Sequence, residues 1–261
     1  MPAYVLVLLY SFMALSFPDR WNYLLGLLLA LVLYLGIWRL GRIISSSFIK
    51  LKDETIFFPL GLGIFLLITY FAAVFSTGVV MYFFWIAAAI LAIFEIKILF
   101  KPLSRHFIWA MPFLLLGFWS TLTPSVFFDA LVYHLGLPMQ FSISGRMETL
   151  PFHFFSTFPP FEFVLNLLLV KLNALSGIKV FSILIIFHIA YALIDLTESL
   201  MKDEGASQFR SEFVVLPVFF LASLWIQVHL ITADLLVAMF LVCSICSMVK
   251  NRVAMDYRHL L

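Results

Sequence analysis

The chain has 261 residues, of which 64% are hydrophobic and 11% are charged, and its mean hydropathy is +1.11. A soluble domain usually carries about 25% charged residues, so this composition excludes a water-soluble globular protein and makes the bilayer its solvent. The net charge of +2 and the absence of a Walker, HExxH or GxSxG motif give no support to nucleic-acid binding or to those enzyme classes. We therefore predict an all-α, polytopic membrane protein.

Eight apolar segments are candidates to cross the hydrocarbon core, which takes roughly 17–25 helical residues. In chain order they are Pro2–Phe17, Trp21–Trp38, Phe57–Phe75, Val79–Phe100, Phe107–Leu122, Ile178–Ile194, Phe213–Ile231 and Ala233–Val249. The predicted fold is a transmembrane helical bundle of about eight spans with one long external loop.

Basic residues fall in four groups between or after these spans. The groups are Arg39, Arg42, Lys50 and Lys52; Lys97, Lys101 and Arg105; Lys202 and Arg210; and Lys250, Arg252 and Arg258. The positive-inside rule favours placing all four on the cytoplasmic side. We therefore expect a multi-pass protein of the cell membrane, with both termini cytoplasmic and the Thr123–Pro160 segment outside.

The segment Phe161–Leu175 tests this topology, because it is apolar enough to be a ninth span, which would reverse every later assignment. Its polar residues Glu162, Asn166 and Asn173 recur at spacings of four and seven, which places them on one helical face. This pattern favours an interfacial helix with its polar face toward water. A true span is the alternative.

Six polar candidates lie in the external loop, between two hydrophobic blocks. They are Asp129, Tyr133, His134, Arg146, Glu148 and His153. Asp129 is the one acid in the apolar and aromatic stretch Pro124–Gly136, and burial there would raise its pKa toward the range of a general base. The alternative is that Asp129 caps a helix that begins at Ala130, and the two roles are compatible.

Arg146 is the one Arg or Lys between Thr123 and Pro160, which makes it the candidate for holding a phosphate through bidentate contacts. His134 lies five positions after Asp129, so it could reach a phosphate or a metal from a neighbouring helical face, and a structural histidine at the interface is an equal alternative. Tyr133, Glu148 and His153 are further candidates for substrate binding.

Asp234 opens a predicted span on the same side of the membrane as Asp129. An ionisable residue there is costly unless it faces polar partners, so it is a functional candidate, although it could also cap its helix. The two acids, with His229 or His134, could coordinate Mg²⁺, Mn²⁺ or Zn²⁺, but no ligand spacing specifies a metal.

Other charged and reactive side chains are predicted to be structural. Glu95 and Lys97 lie near a span end and are expected to extend toward the interface. Cys243 and Cys246 have CxxC spacing inside an apolar run, which is typical of small residues on a buried helix and not of a redox or metal site that has further partners.

Three stretches of the chain carry a resemblance to a known family: TPSVFFDALVYHLGLPMQF, GRMETLPFHFFSTFPPFEFVLNLL and HLITADLLVAMFLV. They are similar to the GT-C superfamily of integral membrane glycosyltransferases, closest to the protein mannosyltransferase and aminoarabinose transferase group. In that family an acid follows a span at the outer face, and an interfacial helix, a Pro-rich element and a second interfacial helix come next. A second acid opens a later helix at the same face. Asp129, Ala130–Leu135, Pro159–Pro160, Phe161–Leu175 and Asp234 fall in that order.

The resemblance implies an inverting transfer of a sugar from a polyprenyl-phosphate donor to a glycan, lipid or protein acceptor at the outer face. Asp129 would be the base and Asp234 a metal or acceptor contact. The alternatives are a transporter or lipid-linked-sugar flippase, in which the two acids bind cargo or coupling ions, and a non-catalytic membrane protein. In this interpretation residues 107–261 form the GT-C-like portion, with external loop 123–176. Residues 1–106 add N-terminal helices, and the chain stops before the further spans of such enzymes.

Overall fold

The computed structural model describes residues 4–17, 19–49, 53–100, 117–123, 130–150, 161–203 and 234–258. Within these ranges all regular structure is helical, which confirms the all-α class. The α-helices are α1 (Tyr4–Leu15), α2 (Arg20–Ile44), α3 (Phe57–Phe75), α4 (Val79–Glu95), α5 (Gly136–Ser144), α6 (Phe161–Val170), α7 (Leu175–Asp203) and α8 (Asp234–Arg258). Shorter π or 3₁₀ turns extend them at Ser45–Ile49, Glu54–Ile56, Ile96–Phe100 and Ala130–Leu135.

Four helical segments within the described residues are long and apolar enough to cross a membrane. They are Arg20–Ile49, Glu54–Phe75, Val79–Leu99 and Leu175–Leu200. Each contains or overlaps a predicted span, which supports the prediction of a helical membrane protein. The total of eight stays a prediction, because Phe213–Ile231 and most of Phe107–Leu122 lie outside the described residues.

Helix α1 is shorter than the span predicted at Pro2–Phe17. It has 12 residues, or about 18 Å of helix, whereas the hydrocarbon core is about 30 Å thick. Residues 234–249 of the predicted span Ala233–Val249 lie in helix α8, which begins at Asp234 and has 25 residues.

The outer surfaces of the candidate spans are apolar, as expected for helices solvated by lipid. Phe75 on α3 is 83% exposed, and Phe83 on α4 is 67% exposed. Exposed aromatic side chains of this size are unfavourable in water but not in hydrocarbon. The described surface therefore supports the membrane assignment independently of helix length.

Polar contacts divide the bundle into two ends. At the basic end, Arg39 and Arg42 of α2 bind Glu95 at the end of α4, and Lys250 of α8 binds Asp53 and Asp195. The sequence-based topology placed the loops of Arg39, Arg42 and Lys250 on one side of the membrane, and the structure brings these residues to one end. That this end is cytoplasmic remains a prediction.

The opposite end, called the loop end, is held together by bonds to backbone carbonyls. Thr77, just after α3, donates its N–H to Gly145 O at 2.7 Å and its hydroxyl to Phe141 O at 2.8 Å. Ser176, at the start of α7, donates to Asn22 O near the start of α2 at 3.1 Å. The segment that contains most of the predicted site residues is therefore attached at the loop end.

Helix α2 packs against α3, α4 and α7, and glycines set the closest of these crossings. A Cβ on Gly41 of α2 would overlap the carbonyl oxygen of Phe57 and lie 2.8 Å from the amide nitrogen of Gly61 on α3. A Cβ on Gly61 would lie 2.7 Å from the amide nitrogen of Gly41. The two backbones are thus in direct contact, as is common where small residues form helix interfaces in membranes.

One hydrophobic core joins the two portions distinguished in the sequence. Leu33 and Phe58 of residues 1–106 belong to the same buried cluster as Phe181 and Met239 of residues 107–261. Cys243 and Cys246 are buried free thiols in this cluster, which confirms their predicted structural placement.

The interfacial interpretation of Phe161–Leu175 is corrected by its packing. Helix α6 has ten residues, about 15 Å, which is too short for a span. Asn166 of the predicted polar face does not point to water, however, because it is 3% exposed and its amide donates to His134 O at 2.9 Å. Asn173, which follows the helix, is exposed, and the side chain of Glu162 lies outside the described residues. Packing against α3 and α5 buries the helix, and Trp85 of α4 donates to Leu168 O at 3.0 Å.

Candidate functional site

The described residues include some but not all of the predicted site. Asp129 and His153 lie outside them, as does the side chain of Tyr133. His134, Arg146, Glu148 and Asp234 are described.

The helix predicted to begin at Ala130 is present. A π-helical turn over Ala130–Leu135 leads directly into α5, which ends at Gly145 with φ of +82°. The Gly145 N–H donates to Phe141 O at 3.1 Å, closing the helix in the left-handed conformation that glycine adopts without strain. Asp129 directly precedes Ala130 in the sequence but lies outside the described residues, so its capping and base roles both stay predictions.

His134 lies within the protein core and not on its surface. Its side chain is buried, and its ring approaches Phe163 of α6 edge to face with ring centroids 6.2 Å apart. Its backbone carbonyl accepts the Asn166 bond that joins this helix to α6. Any contact of His134 with a phosphate or metal would have to be made in this partly aromatic environment.

Arg146 is paired with another predicted site residue. Its guanidinium donates to Oε2 of Glu148 from Nε at 2.6 Å, and Nη2 lies 2.6 Å from the same oxygen. The two side chains are 63% and 37% exposed. An exposed pair of this kind contributes little to stability, so it can open to admit an anion, but Glu148 offsets the charge that Arg146 would offer to a phosphate.

Asp234 is the first residue of α8, and its side chain is exposed. Lys250 of the same helix binds at the basic end, and the separation of the two residues by 16 positions corresponds to about 24 Å of helix. Asp234 therefore lies toward the loop end, as the sequence predicted. Among the described residues it has no hydrogen-bond or ion-pair partner.

No group of three or more His, Cys, Asp or Glu side chains within the described residues is arranged to hold a metal ion. Because Asp129 lies outside those residues, metal binding by Asp129 and Asp234 stays a prediction. The described candidates are an ion pair and a buried histidine in the segment attached at the loop end, and an exposed acid at the start of α8.

Two buried polar residues of the loop end were missed by the sequence reasoning. Lys179, on α7, is 3% exposed and donates to Thr123 O at 2.6 Å. Asn166 was interpreted as facing water. Lys179 could have been found from the sequence, since an ionisable residue within a predicted span is a functional candidate by default.

At the basic end, His188 forms a second polar centre that sequence reasoning missed. Its Nε2 lies 2.8 Å from Thr55 O, and its Nδ1 lies 3.1 Å from the hydroxyl of Tyr34. A carbonyl oxygen only accepts, so Nε2 carries a proton, and in the neutral form of the ring Nδ1 accepts from the Tyr34 hydroxyl. The rings of Trp38 and Phe58 flank the imidazole at centroid distances of 5.3 and 5.0 Å, giving a fully bonded, neutral, structural histidine.

A three-residue cluster at the same end, called the Lys250 clamp, joins α8 to α7 and to the turn before α3. Lys250 Nζ lies 3.0 Å from Oδ1 of Asp53 and also binds Asp195. Burial alone would raise the pKa of Asp53, but hydrogen bonds from Thr55 and Lys250 and the charge of Lys250 outweigh it and lower the pKa. Burial alone would lower the pKa of Lys250, but its two acidic partners raise it.

Glu95 corrects another expectation. It does not extend to the interface, because its side chain is 3% exposed and its Oε1 accepts bonds from Arg42 at 2.9 Å and Arg39 at 3.2 Å. The two guanidinium groups neutralise the buried carboxylate, which would otherwise be strongly unfavourable.

No protein-family model matches the chain, and no curated protein and no solved structure matches it either.

Proposed function

We propose that the protein is a GT-C-like membrane glycosyltransferase that transfers a sugar from a polyprenyl-phosphate donor to an acceptor at the outer membrane surface. The observation that carries the proposal is the placement of Asp234. It lies toward the same end of the bundle as Thr123 and α5, the segments between which Asp129 falls in the sequence. The proposal places Asp129, which lies outside the described residues, at this same end as a second acid far away in the sequence.

The reaction assigned to this end uses few groups. The acceptor oxygen forms a bond to the anomeric carbon while the bond from that carbon to the donor phosphate breaks. Asp129 takes the proton from the acceptor hydroxyl, and the leaving phosphate keeps the electron pair and the negative charge. Asp234 would orient the acceptor, and where Asp129 and Asp234 share a divalent cation, that ion would neutralise the departing phosphate.

The transporter or flippase alternative is less well supported by the positions of the acids. Coupling and cargo-binding carboxylates are expected near the middle of the membrane, often on broken helices. Among the described residues, the buried acid Glu95 lies at the end of α4 and is already paired with two arginines. Asp53 and Asp195 share Lys250 at that same end.

The direct test is sugar transfer by the full chain from labelled polyprenyl-phosphate donors in reconstituted membranes. Loss of a general base typically costs about 10²–10⁴-fold in rate, so Asp129→Asn is expected to fall by that amount. Asp234→Asn is expected to lower turnover as well. The matched control is Asp19→Asn, because Asp19 is an exposed acid at the loop end that precedes α2 and makes no capping bond.

Equal turnover in Asp129→Asn and Asp19→Asn would contradict the role of Asp129. Movement of the intact lipid-linked sugar across the bilayer, without transfer to any acceptor, would instead favour the flippase. Measuring turnover with and without a chelator, in wild type and Asp234→Asn, tests the cation: a chelator effect that disappears in the variant supports a shared metal.

A further inference from the structure

Lys179 lies one turn inside α7, on a segment apolar enough to span a membrane, and it is 3% exposed. An ammonium group has three N–H donors and no acceptor. One of these donors binds Thr123 O at 2.6 Å. No other described residue accepts from Lys179, so two donors are left for a group outside the described part of the chain.

The burial of the side chain is unusual for a lysine near the end of a membrane helix. Such lysines normally extend along the helix to place the charge in the interface. Lys179 instead stays buried at the junction of α7 with residues 117–123, where Tyr23 of α2 also donates to Leu122 O at 2.9 Å. An unmatched charge in such a place is strongly unfavourable, so a compensating anion is expected there.

A second positive feature lies at the start of the same helix. Lys179 is the fifth residue of α7, a helix of 29 residues. The amino-terminal turn of a helix carries partial positive charge and unpaired N–H groups, which favour anions. Ser176 in that turn binds Asn22, so the turn is fixed against α2.

We propose that Lys179 and the first turn of α7 form a binding site for a phosphate oxyanion at the loop end. The proposal extends the proposed function, because it assigns the donor phosphate to Lys179 where the sequence pointed to Arg146. Lys179 is the better candidate because its charge is buried and unmatched among the described residues, whereas Arg146 is exposed and paired with Glu148. The oxyanion can come from a lipid phosphate or from free phosphate.

Binding to the full chain in lipid nanodiscs tests the site with three probes: farnesyl phosphate, inorganic phosphate and farnesol. The matched control for Lys179→Met is Lys171→Met, since Lys171 also lies at the loop end and donates to one carbonyl, Ser142 O at 3.0 Å, but is only partly buried. Farnesyl phosphate should bind wild type and Lys171→Met with equal affinity and Lys179→Met at least about tenfold more weakly, and Lys179→Arg should retain binding.

The two sources of phosphate are separated by the other probes. Farnesol should not depend on Lys179, because it lacks the oxyanion. If inorganic phosphate binds as tightly as farnesyl phosphate, the ligand is a free anion; if it binds far more weakly, the ligand is a lipid phosphate. Equal affinity of farnesyl phosphate for wild type and Lys179→Met would overturn the site.

The stability of the unliganded protein provides a second criterion. Met has a stem of similar length without the charge, so removing an unmatched ammonium should leave the melting temperature equal or higher. A fall in melting temperature larger than loss of the single Thr123 bond explains (about 1.5–3 kcal/mol), or failure of Lys179→Met to accumulate while Lys179→Arg does, would indicate that an internal carboxylate already matches Lys179, and would overturn the proposal.

These measurements are independent of catalysis. Lys179-dependent phosphate binding without sugar transfer would count against the proposed function alone. Sugar transfer with phosphate binding indifferent to Lys179 would count against the phosphate site alone.

Discussion

The contact between α2 and α3 predicts that one methyl group at Gly41 will separate the two helices. In Gly41→Ala, the new Cβ would lie 2.6 Å from the carbonyl carbon of Phe57 and 2.8 Å from the amide nitrogen of Gly61. Non-bonded carbon atoms normally approach to about 3.5–4.0 Å, so the helices must move apart by about 1 Å. Neither obstacle is a side chain that can rotate away.

The expected cost follows from that geometry. Overpacking of a core typically costs about 1–3 kcal/mol, and a clash against backbone belongs at or above the upper end of this range. Gly63→Ala is the matched control on α3, because its Cβ would meet the Phe240 ring at an ordinary 3.8 Å. Replacing a helical glycine by alanine otherwise gains up to about 1 kcal/mol, so Gly63→Ala should be neutral or stabilising.

Thermal unfolding of the purified chain in nanodiscs, followed by intrinsic fluorescence, measures both variants under one condition. Gly41→Ala should melt well below wild type, and Gly61→Ala should behave in the same way, since its Cβ would lie 2.7 Å from the amide nitrogen of Gly41. Equal melting temperatures for Gly41→Ala and Gly63→Ala would refute the direct backbone contact.

Two further predictions concern charges. Glu95→Gln should destabilise the fold by about 2 kcal/mol because it weakens two charge-assisted bonds to a buried carboxylate. Glu148→Gln, in an exposed pair, should change the free energy of unfolding by less than about 1 kcal/mol. Equal decreases in the free energy of unfolding of the two variants would contradict this ranking. In the Lys250 clamp, the pKa of Asp53 is lower in the folded protein than in the unfolded chain. Asp53 therefore stabilises the fold at pH values above its unfolded pKa, and this stability is lost as the pH falls below about 4. The pKa of Lys250 is higher in the folded protein, so Lys250 stabilises the fold at pH values below its unfolded pKa, and this stability is lost as the pH rises above about 10.5. Melting temperatures measured from pH 3 to 11 should therefore fall at both extremes, and Lys250→Met should flatten the profile.

The sequence was most informative about features that depend on local pattern. Composition identified the membrane class, and apolar segments located the four helices long enough to span. The positions of Arg39, Arg42 and Lys250 in separate basic groups correctly indicated one common end. Such signals are readable because each depends on the local residue type and on its distance along one helix.

Burial of polar groups could not be read in this way, because it depends on which helices meet. Asn166 fits a water-facing stripe in sequence, yet α5 and its preceding turn cover it. Glu95 fits an interfacial acid, yet two arginines from α2, more than 50 positions earlier in the chain, neutralise it. Lys179 falls within a predicted span, and only the folded structure shows that its ammonium group binds the carbonyl oxygen of Thr123.

The Lys250 clamp also constrains the order in which the protein can be completed. Its two ends, Asp53 and Lys250, are separated by 197 positions. Synthesis proceeds from the amino terminus, so Asp53 and Asp195 lack the ammonium group of Lys250 until α8 has been made and inserted. The last described helix thus supplies the charge that joins the earliest loop of the basic end to α7, and a ribosome that stops before residue 250 releases a bundle whose acids are still unmatched.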